Sequence, residues 1–301
     1  MHVGRSWSLK LQNNFMGIFR SKIDLHCHSN ASDGALTPKE VVKRAIELGL
    51  THLALTDHDT CRGINEAKEA AKGALNLIPG SEISATWNNN QIHIVGLFLD
   101  YESESFKAFT EGQKVLREQR ALEIAQKLER VGFHDMLNKA KKAAGEGASI
   151  TRGNYARLIV AEGKATCTDE AFNVYLRKGK KAYVATNWPN VSVCVEAIHK
   201  ANGVAVLAHP KRYEMTNMKL RALMEYFKNA GGDAIEVSYS QQRPQEHSYL
   251  CELCARFGFK ASLGSDFHAL GTYRDLGLNL NIPEDLTPVW DCPQAQYYNF
   301  K

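Results

Sequence analysis

Six of the eleven histidines in this 301-residue chain, with three carboxylates, fall at the ends of short apolar runs or, for one histidine, inside such a run. KIDLHCH ends in His26 and His28, which the two-residue period of a strand turns to one face, and Asp33 follows in the loop. His58 comes after the apolar run LAL in LALTDHD, Glu82 ends LNLIPGSE, and His209 ends VAVLAH just before a proline. Asp266 and His268 repeat the two-residue pairing in GSDFH, while His93 lies inside QIHIVGLFL. Three carboxylates in one partly dehydrated pocket repel each other, and neutral imidazoles bring lone pairs that need something to coordinate. Divalent cations answer both demands. Nine nitrogen and oxygen ligands exceed one tetrahedral or octahedral centre, so the set calls for at least two ions, and three if each keeps a position for water or substrate. With no thiolate among them, the ligands point to manganese, iron or magnesium, with zinc also admissible. A lone HxH or a single strand histidine is more often a hydrogen-bonded core residue. Five strand ends that all finish in ligand-type residues are hard to ascribe to packing, because imidazole and carboxylate are costly to bury without partners.

Such a gathering needs a scaffold that collects strand ends. From Lys22 to Asp100, apolar runs alternate with helical patterns such as PKEVVKRAIELG and GINEAKEAAKG. That alternation predicts βαβ units and a parallel sheet, an α/β architecture whose sites form at the carboxyl ends of the strands. Thr37 before Pro38 predicts an N-cap and a first helical turn. Between Ser103 and Lys181 the strand pattern stops. Apolar residues there recur at helical spacing (Phe106, Phe109, Val115, Leu122, Ala125, Leu128), predicting an all-helical insertion. After Val191 the alternation returns. The expected organisation is a loose basic tail over 1–21, with Met16 as an alternative start, then a sheet domain in two parts, 22–102 and 183–301, split by an insertion at 103–182. The stretch after Pro283 carries no clear pattern.

At 44% hydrophobic and 23% charged residues, the composition excludes an intrinsically disordered chain. A net charge of +4 is too weak for wholesale nucleic-acid wrapping, although it leaves room for a local basic groove. No run reaches the ~20 apolar residues of a membrane span, and the first 20 residues lack the apolar core of a secretory signal. Seven cysteines, an odd number scattered from Cys27 to Cys292, fit reduced thiols and a cytoplasmic location. Cys251 and Cys254 form a C-x-x-C that shares a helical face with His247, but without a second ligand pair they are expected to pack rather than bind zinc.

The stretches DLHCHSNASDG (24–34), LTDHDT (55–60), GSEIS (80–84), HIVGL (93–97), LAHPKRY (207–213) and GSDFH (264–268) resemble the polymerase-and-histidinol-phosphatase (PHP) superfamily of metallophosphoesterases. The resemblance runs from about residue 22 to 282, insertion included. It is nearest to the branch that holds the RNase AM 5′→3′ exoribonucleases and the 3′,5′-nucleoside bisphosphate phosphatases. It implies a distorted β/α barrel and a trinuclear, manganese-preferring centre. His26, His28, Glu82 and Asp266 would hold one ion, Glu82 would bridge to a second held by His93 and His209, and Asp33, His58 and His268 would hold the third. Asp33, His58, His209, Asp266 and His268 are the expected catalytic residues among these. One departure is Lys211, where related sequences tend to carry glycine before the arginine.

In that resemblance the insertion forms a lid over a nucleotide, which would put Arg117, Arg120, Arg152 and Arg157 on its inner surface. Arg212, three residues beyond His209, is the fifth candidate for phosphate, which guanidinium grips in a bidentate fashion. For each arginine singly, a solvated surface position is as good a reading. Tyr155 and Trp188 are candidates to stack on a base, although most aromatics are core. Asp59 suits either the leaving-group acid or a cap on the following helix. The expected activity is hydrolysis of nucleotide phosphoesters: removal of 5′ nucleotides from short RNA or ribosomal RNA precursors, removal of the 3′-phosphate from nucleoside 3′,5′-bisphosphates, or both. A sugar-phosphate or histidinol phosphatase and a non-catalytic PHP module are the alternatives. The nucleotide-branch insertion weighs against the first and the complete ligand set against the second.

Overall fold

The computed structural model describes residues 19–145, 147–185, 187–271 and 274–300; most of the 1–21 tail and Met16 lie outside them. The strands are β1 (Ile23–Cys27), β2 (His52–Leu55), β3 (Asn76–Trp87), β4 (Asn90–Leu97), β5 (Val204–Leu207), β6 (Ala234–Tyr239) and β7 (Lys260–Gly264). Helices α1 (Pro38–Glu47) and α2 (Ile64–Ala71) separate the first three strands. Four helices stand between β4 and α7 (Val191–Lys200): α3 (Glu104–Glu129), α4 (Met136–Ala144), α5 (Arg152–Ala161) and the short α6 (Thr168–Ala171). Then α7, α8 (Asn217–Asn229) and α9 (Pro244–Phe257) alternate with the remaining strands. Thr37 caps α1 in a capping box with Glu40, with Pro38 in the first turn, as the sequence predicts.

The strands form one sheet in chain order that nearly closes into a barrel. The Asp266 N–H donates to the His26 carbonyl and the His28 N–H to the Phe267 carbonyl, both at 2.8 Å, joining the end of β7 to β1. The sheet departs from the expected all-parallel pattern at β4, which pairs antiparallel with both β3 and β5. The cause is local. Asn88 and Asn89, at φ +45° and +58°, form a two-residue hairpin turn of the left-handed kind that asparagine tolerates and that suits strand twist. A direct turn leaves no helix between β3 and β4, so the strand returns antiparallel.

Register irregularities decide which side chains face inward. β1 slips between Asp24 and Cys27, and β6 between Glu236 and Ser238. A one-residue slip reverses the facing of a strand. Leu25 thereby joins the barrel interior with Ala54, Ile78, Val95, Val206 and Ala234, whereas Cys27 packs outside against α1 and α2. The interior is apolar at the amino ends of the strands and polar at their carboxyl ends. The segment after Pro283 seals the apolar end, with Val289 and Ala295 in the interior cluster and Trp290 stacked on Phe300 at a ring distance of 5.3 Å. Short, irregular and lacking periodicity, that plug leaves no pattern to read in the sequence.

Helix α3 serves two cores. Phe106 packs against the barrel, while Ala121, Ile124, Ala125 and Leu128 join Phe133, Met136, Tyr155 and Ile159 in a separate core of the helical segment. Between them the buried face is polar, with Gln113, Arg117 and Arg120 turned inward. Val115 and Leu122, expected on the apolar stripe, are therefore exposed. Among the described residues no helix is long and apolar enough to cross a membrane.

Gly264 marks the tightest approach at the barrel's closure: a Cβ there would lie 2.2 Å from the His26 Cβ. Gly264→Ala is expected to destabilise the fold by about 1–3 kcal/mol through overpacking. Denaturant unfolding measures it, and an unchanged midpoint would contradict the close packing.

Candidate metal centre

All nine ligand-type residues singled out in the sequence meet at the carboxyl end of the barrel. Three sets place one donor atom per residue within 4.8 Å of each other: His26, His28, Glu82 and Asp266; His28, Asp33, His58 and His268; and His58, Glu82 and His93. His209 stands on the same oxygen of Glu82 as His93, with Nε2 2.9 Å and His93 Nδ1 2.8 Å from Glu82 Oε1. The grouping differs from the expected partition in that His28 and His58 each stand between two sets. Asp59, His209 and Asp266 hold φ of +52°, +28° and +53°. This is a conformation that non-glycine residues adopt only where surrounding contacts enforce it.

Glu82 is the hub. Its Oε2 lies 3.0 Å from His58 Nδ1, 3.3 Å from His28 Nε2 and 3.4 Å from His26 Nε2. Yet that oxygen forms no hydrogen bond, and neither do His28 Nδ1, His58 Nδ1, His209 Nδ1 or Asp33 Oδ1, all buried. Buried polar atoms are nearly always satisfied. Orphaned lone pairs that converge at these distances are the donor set of a cation site, and nitrogen and carboxylate oxygen without sulfur fit a hard or borderline divalent ion. In the metal-free chain the same groups hold one another's charges. Burial pushes Glu82 up, but His93, His58 and His26 more than offset it and keep the carboxyl well below its usual range. Burial likewise opposes, and His268 and His58 overcome it, at Asp33; Arg212 and His268 do so at Asp266. His28, although burial favours its neutral form, is raised to about 10 by Asp266 and Glu82, whereas burial takes His58 down to about 4.

A layer of residues that the sequence reading did not assign fixes these ligands. Glu236, a lone acid in the apolar strand β6, accepts from His26 Nδ1 at 2.7 Å and from the His209 backbone N–H at 2.6 Å. It thereby sets the His26 tautomer and turns Nε2 toward Glu82 and Asp266. Asp57 accepts from the Ser29 N–H at 2.8 Å and from the Ser29 and Ser32 hydroxyls at 2.7 and 2.6 Å, shaping the loop that delivers Asp33. Asp24 ties Ser265 to the barrel, and the Tyr213 hydroxyl donates to the Ala208 carbonyl while accepting from the His93 N–H. Only Glu236 and Asp24 leave a sequence signal, as carboxylates inside otherwise apolar strands.

The arginines fare differently from one another. Arg117 is buried and committed, donating through Nε to Asp59 at 2.5 Å and through Nη2 to Ser84 at 2.7 Å, so it struts α3 against the barrel. Asp59 in turn accepts from the Ser84 N–H and from Gln113 and does not cap α2, whose N-cap is Gly63. Arg157 donates to the Asp33 carbonyl at 2.6 Å, and Arg212 pairs with Asp266. Arg152 makes only a 3.4 Å contact to Gln91, and buried Arg120 leaves Nε and Nη2 without partners, its guanidinium 5.7 Å from the Trp188 ring. Tyr155 is core, fully buried with its hydroxyl on the Ala121 carbonyl. Lys211 points away to Asn217. Cys254 packs in the barrel's outer core, and Cys251 and His247 are outside the three ligand sets.

Glu236→Ala is expected to weaken divalent-ion loading by about 10–100-fold, the scale of losing a group that orients a ligand. Isothermal titration of the metal-free protein measures this, and wild-type affinity in the variant would contradict the role given to Glu236.

The comparisons with known proteins agree with this geometry. The PHP domain model matches residues 24–241. The chain is 43% identical over 271 residues to a 5′-3′ exoribonuclease of Haemophilus influenzae, covering 90% of this chain and 98% of that one. It is 37% identical over 275 residues to a 3′,5′-nucleoside bisphosphate phosphatase of Chromobacterium violaceum, covering 90% and 95%. The solved structure of an amidohydrolase from C. violaceum, with bound sulfate and no metal, superposes with a TM-score of 0.85 at 35% identity over 90% of this chain and 95% of that one. With its ligand-bearing strand ends in place and relatives matched along nearly their whole length, this chain belongs to the PHP-domain family.

Proposed function

We propose that the protein is a metal-dependent phosphoesterase of nucleotides, removing 5′ nucleotides from short RNA, including the 5′ ends of ribosomal RNA precursors, or the 3′-phosphate from nucleoside 3′,5′-bisphosphates. The observation that carries this reading is the convergence of unpartnered imidazole and carboxylate atoms on Glu82. His26, His28, Glu82 and Asp266 would hold one ion, Glu82 with His93 and His209 a second, and Asp33, His58 and His268 a third, with manganese the preferred metal. Ions bound there supply a water deprotonated near neutral pH and neutralise charge on the phosphoryl oxygens.

The chain's own residues do the rest. Glu236 and Tyr213 hold the ligand-bearing backbone in place, and the Asp59–Arg117 pair locks α3 over the site. Arg120 has two buried donors without partners, and half-buried Arg152 makes a long hydrogen bond to Gln91. Burial, with the positive charge of Arg152 and Arg117 beside it, makes Arg120 a weaker holder of its own proton and a group that gains from a phosphate partner. They therefore suit the substrate's terminal phosphate, leaving the next phosphoester at the metal centre. Arg212, held by Asp266, is placed to meet the reacting phosphoryl group. Asp59 is fully occupied by hydrogen bonds, so the general-acid role does not fall to it. A cytoplasmic location belongs to the same reading and is supported by seven unpaired thiols.

With manganese present, a 5′-phosphorylated oligoribonucleotide and adenosine 3′,5′-bisphosphate test the activity side by side; inertness toward both would overturn the nucleotide reading. Asp266→Asn and His209→Asn should each reduce hydrolysis to background while circular dichroism stays native. Arg120→Ala should raise KM by about tenfold or more, the scale of a lost charge-assisted hydrogen bond, with little change in metal content. Because His28 in the metal-free chain is raised to about 10, it carries a proton at neutral pH that an ion must displace. Adding manganese to the unbuffered metal-free protein should therefore acidify the solution, and apparent metal affinity should climb with pH up to about 10. A pH-independent affinity would contradict the assignment of His28.

A further inference from the structure

A cavity of about 620 Å³ lies outside the metal centre, between α3, α4 and residues 147–150 ahead of α5. Its size is that of a small-molecule site, for which ~300–1,000 Å³ is usual. Two of its walls are extensions of the loops that carry metal-centre residues. Asp59 and Thr60 follow His58, and Ser149, whose N–H donates to the Ala31 carbonyl at 2.9 Å, stands two residues before Thr151, whose hydroxyl donates to Asp33. A ligand seated there is a neighbour of whatever occupies the metal centre.

The lining has the chemistry of a nucleotide site. Ala121, Leu137 and Ile150 present an apolar surface fit for a base, and the Ser149 hydroxyl beside them is buried without a hydrogen-bond partner. Lys114 and Arg117 are engaged by Glu111 and Asp59. Lys141 and Lys142, exposed at the end of α4, have no carboxylate partner among the described residues, and the Arg62 guanidinium reaches across to Gly147 beside them. Among the described lining residues Glu118 is the one acid without a partner, and the cations without one outnumber it. Along α3, residues 114, 117, 118 and 121 share the face that lines the cavity at the i, i+3, i+4, i+7 spacing. Arg120 belongs to the adjoining face that meets Trp188. The cavity and the unpartnered arginine thus lie on different flanks of one helix.

We propose that this cavity is a nucleotide subsite that takes the RNA chain continuing beyond the bond cut at the metal centre. The proposal rests on the nucleotide reading of that centre and adds to it the feature that separates a chain substrate from a bisphosphate. A nucleoside 3′,5′-bisphosphate fills the arginine flank and the metals and has nothing to place here. A longer RNA has a second nucleotide, whose base meets the apolar wall and whose phosphate meets Lys141 and Lys142.

The test compares Lys141→Glu/Lys142→Glu with the wild-type holoenzyme on a 5′-phosphorylated pentaribonucleotide and on adenosine 3′,5′-bisphosphate, both with manganese. The double variant should lose about tenfold or more in kcat/KM on the pentamer, through KM, as expected for lost charged contacts to phosphate. Turnover of the bisphosphate should stay within about twofold, as for surface changes remote from the chemistry. The dependence of log KM on log salt for the pentamer should flatten by about 0.7, for one neutralised single-strand phosphate. Leu137→Trp, which fills the cavity without changing charge, should discriminate between the substrates in the same direction. A pentamer constant unchanged in both variants, or parallel losses on both substrates, would overturn the proposal while leaving the metal-centre reading intact. Wild-type inertness toward both substrates would instead overturn that reading, and this subsite with it.

Discussion

The structure is organised around one buried carboxylate. Glu82 sits midway along β3, which runs on to Trp87 and does not end at Glu82 as the sequence suggests, with two imidazoles on one oxygen and three on the other, and its environment would be untenable without compensating charge. Every neighbouring feature is arranged to meet that demand. β1 slips register so that His26 and His28 face inward, β4 returns antiparallel so that His93 stands opposite Ser84 beside Glu82, and the barrel closes on Asp266. Asp59, His209 and Asp266 take left-handed backbone angles at this end of the barrel, a conformation that the surrounding contacts must hold.

The helical segment between β4 and β5 solves a different problem. A barrel mouth lined with charge must be covered without an apolar lid, and α3 does this with a polar inward face flanked by two apolar ends. Arg117 fastens that face to Asp59, one residue from His58, so the cover and a ligand share a strut. Arg120, by contrast, keeps two buried donors without partners, beside the half-buried Arg152. Natural proteins keep such groups where a ligand completes them.

Much of this was legible in the sequence because metal ligation needs particular residue types at strand ends, and six short motifs carry them. The helix start at Thr37–Pro38 was legible for the same reason, a local rule with a local signature. What the sequence hid depends on contacts between remote segments. Glu236 looks like any strand acid until β6 is laid beside β1, and Arg117 and Arg120 stand three residues apart on one helix but only packing shows one paired and the other not. The Asn88–Asn89 turn was readable in principle, yet the surrounding βαβ alternation outweighed it. The plug after Pro283 has no periodicity because it fills an irregular opening, not a face of regular structure. Val115 and Leu122 misled for the opposite reason: their helical spacing is real, but the helix turns its middle toward a polar site.

The most direct measurement is anomalous diffraction at the manganese edge from crystals grown with the metal. Peaks are expected within the nine side chains, with Glu82 contacting two of them and one peak flanked by Asp33, His58 and His268. Peaks elsewhere on the chain, or none among these residues in crystals of catalytically active protein, would contradict this arrangement.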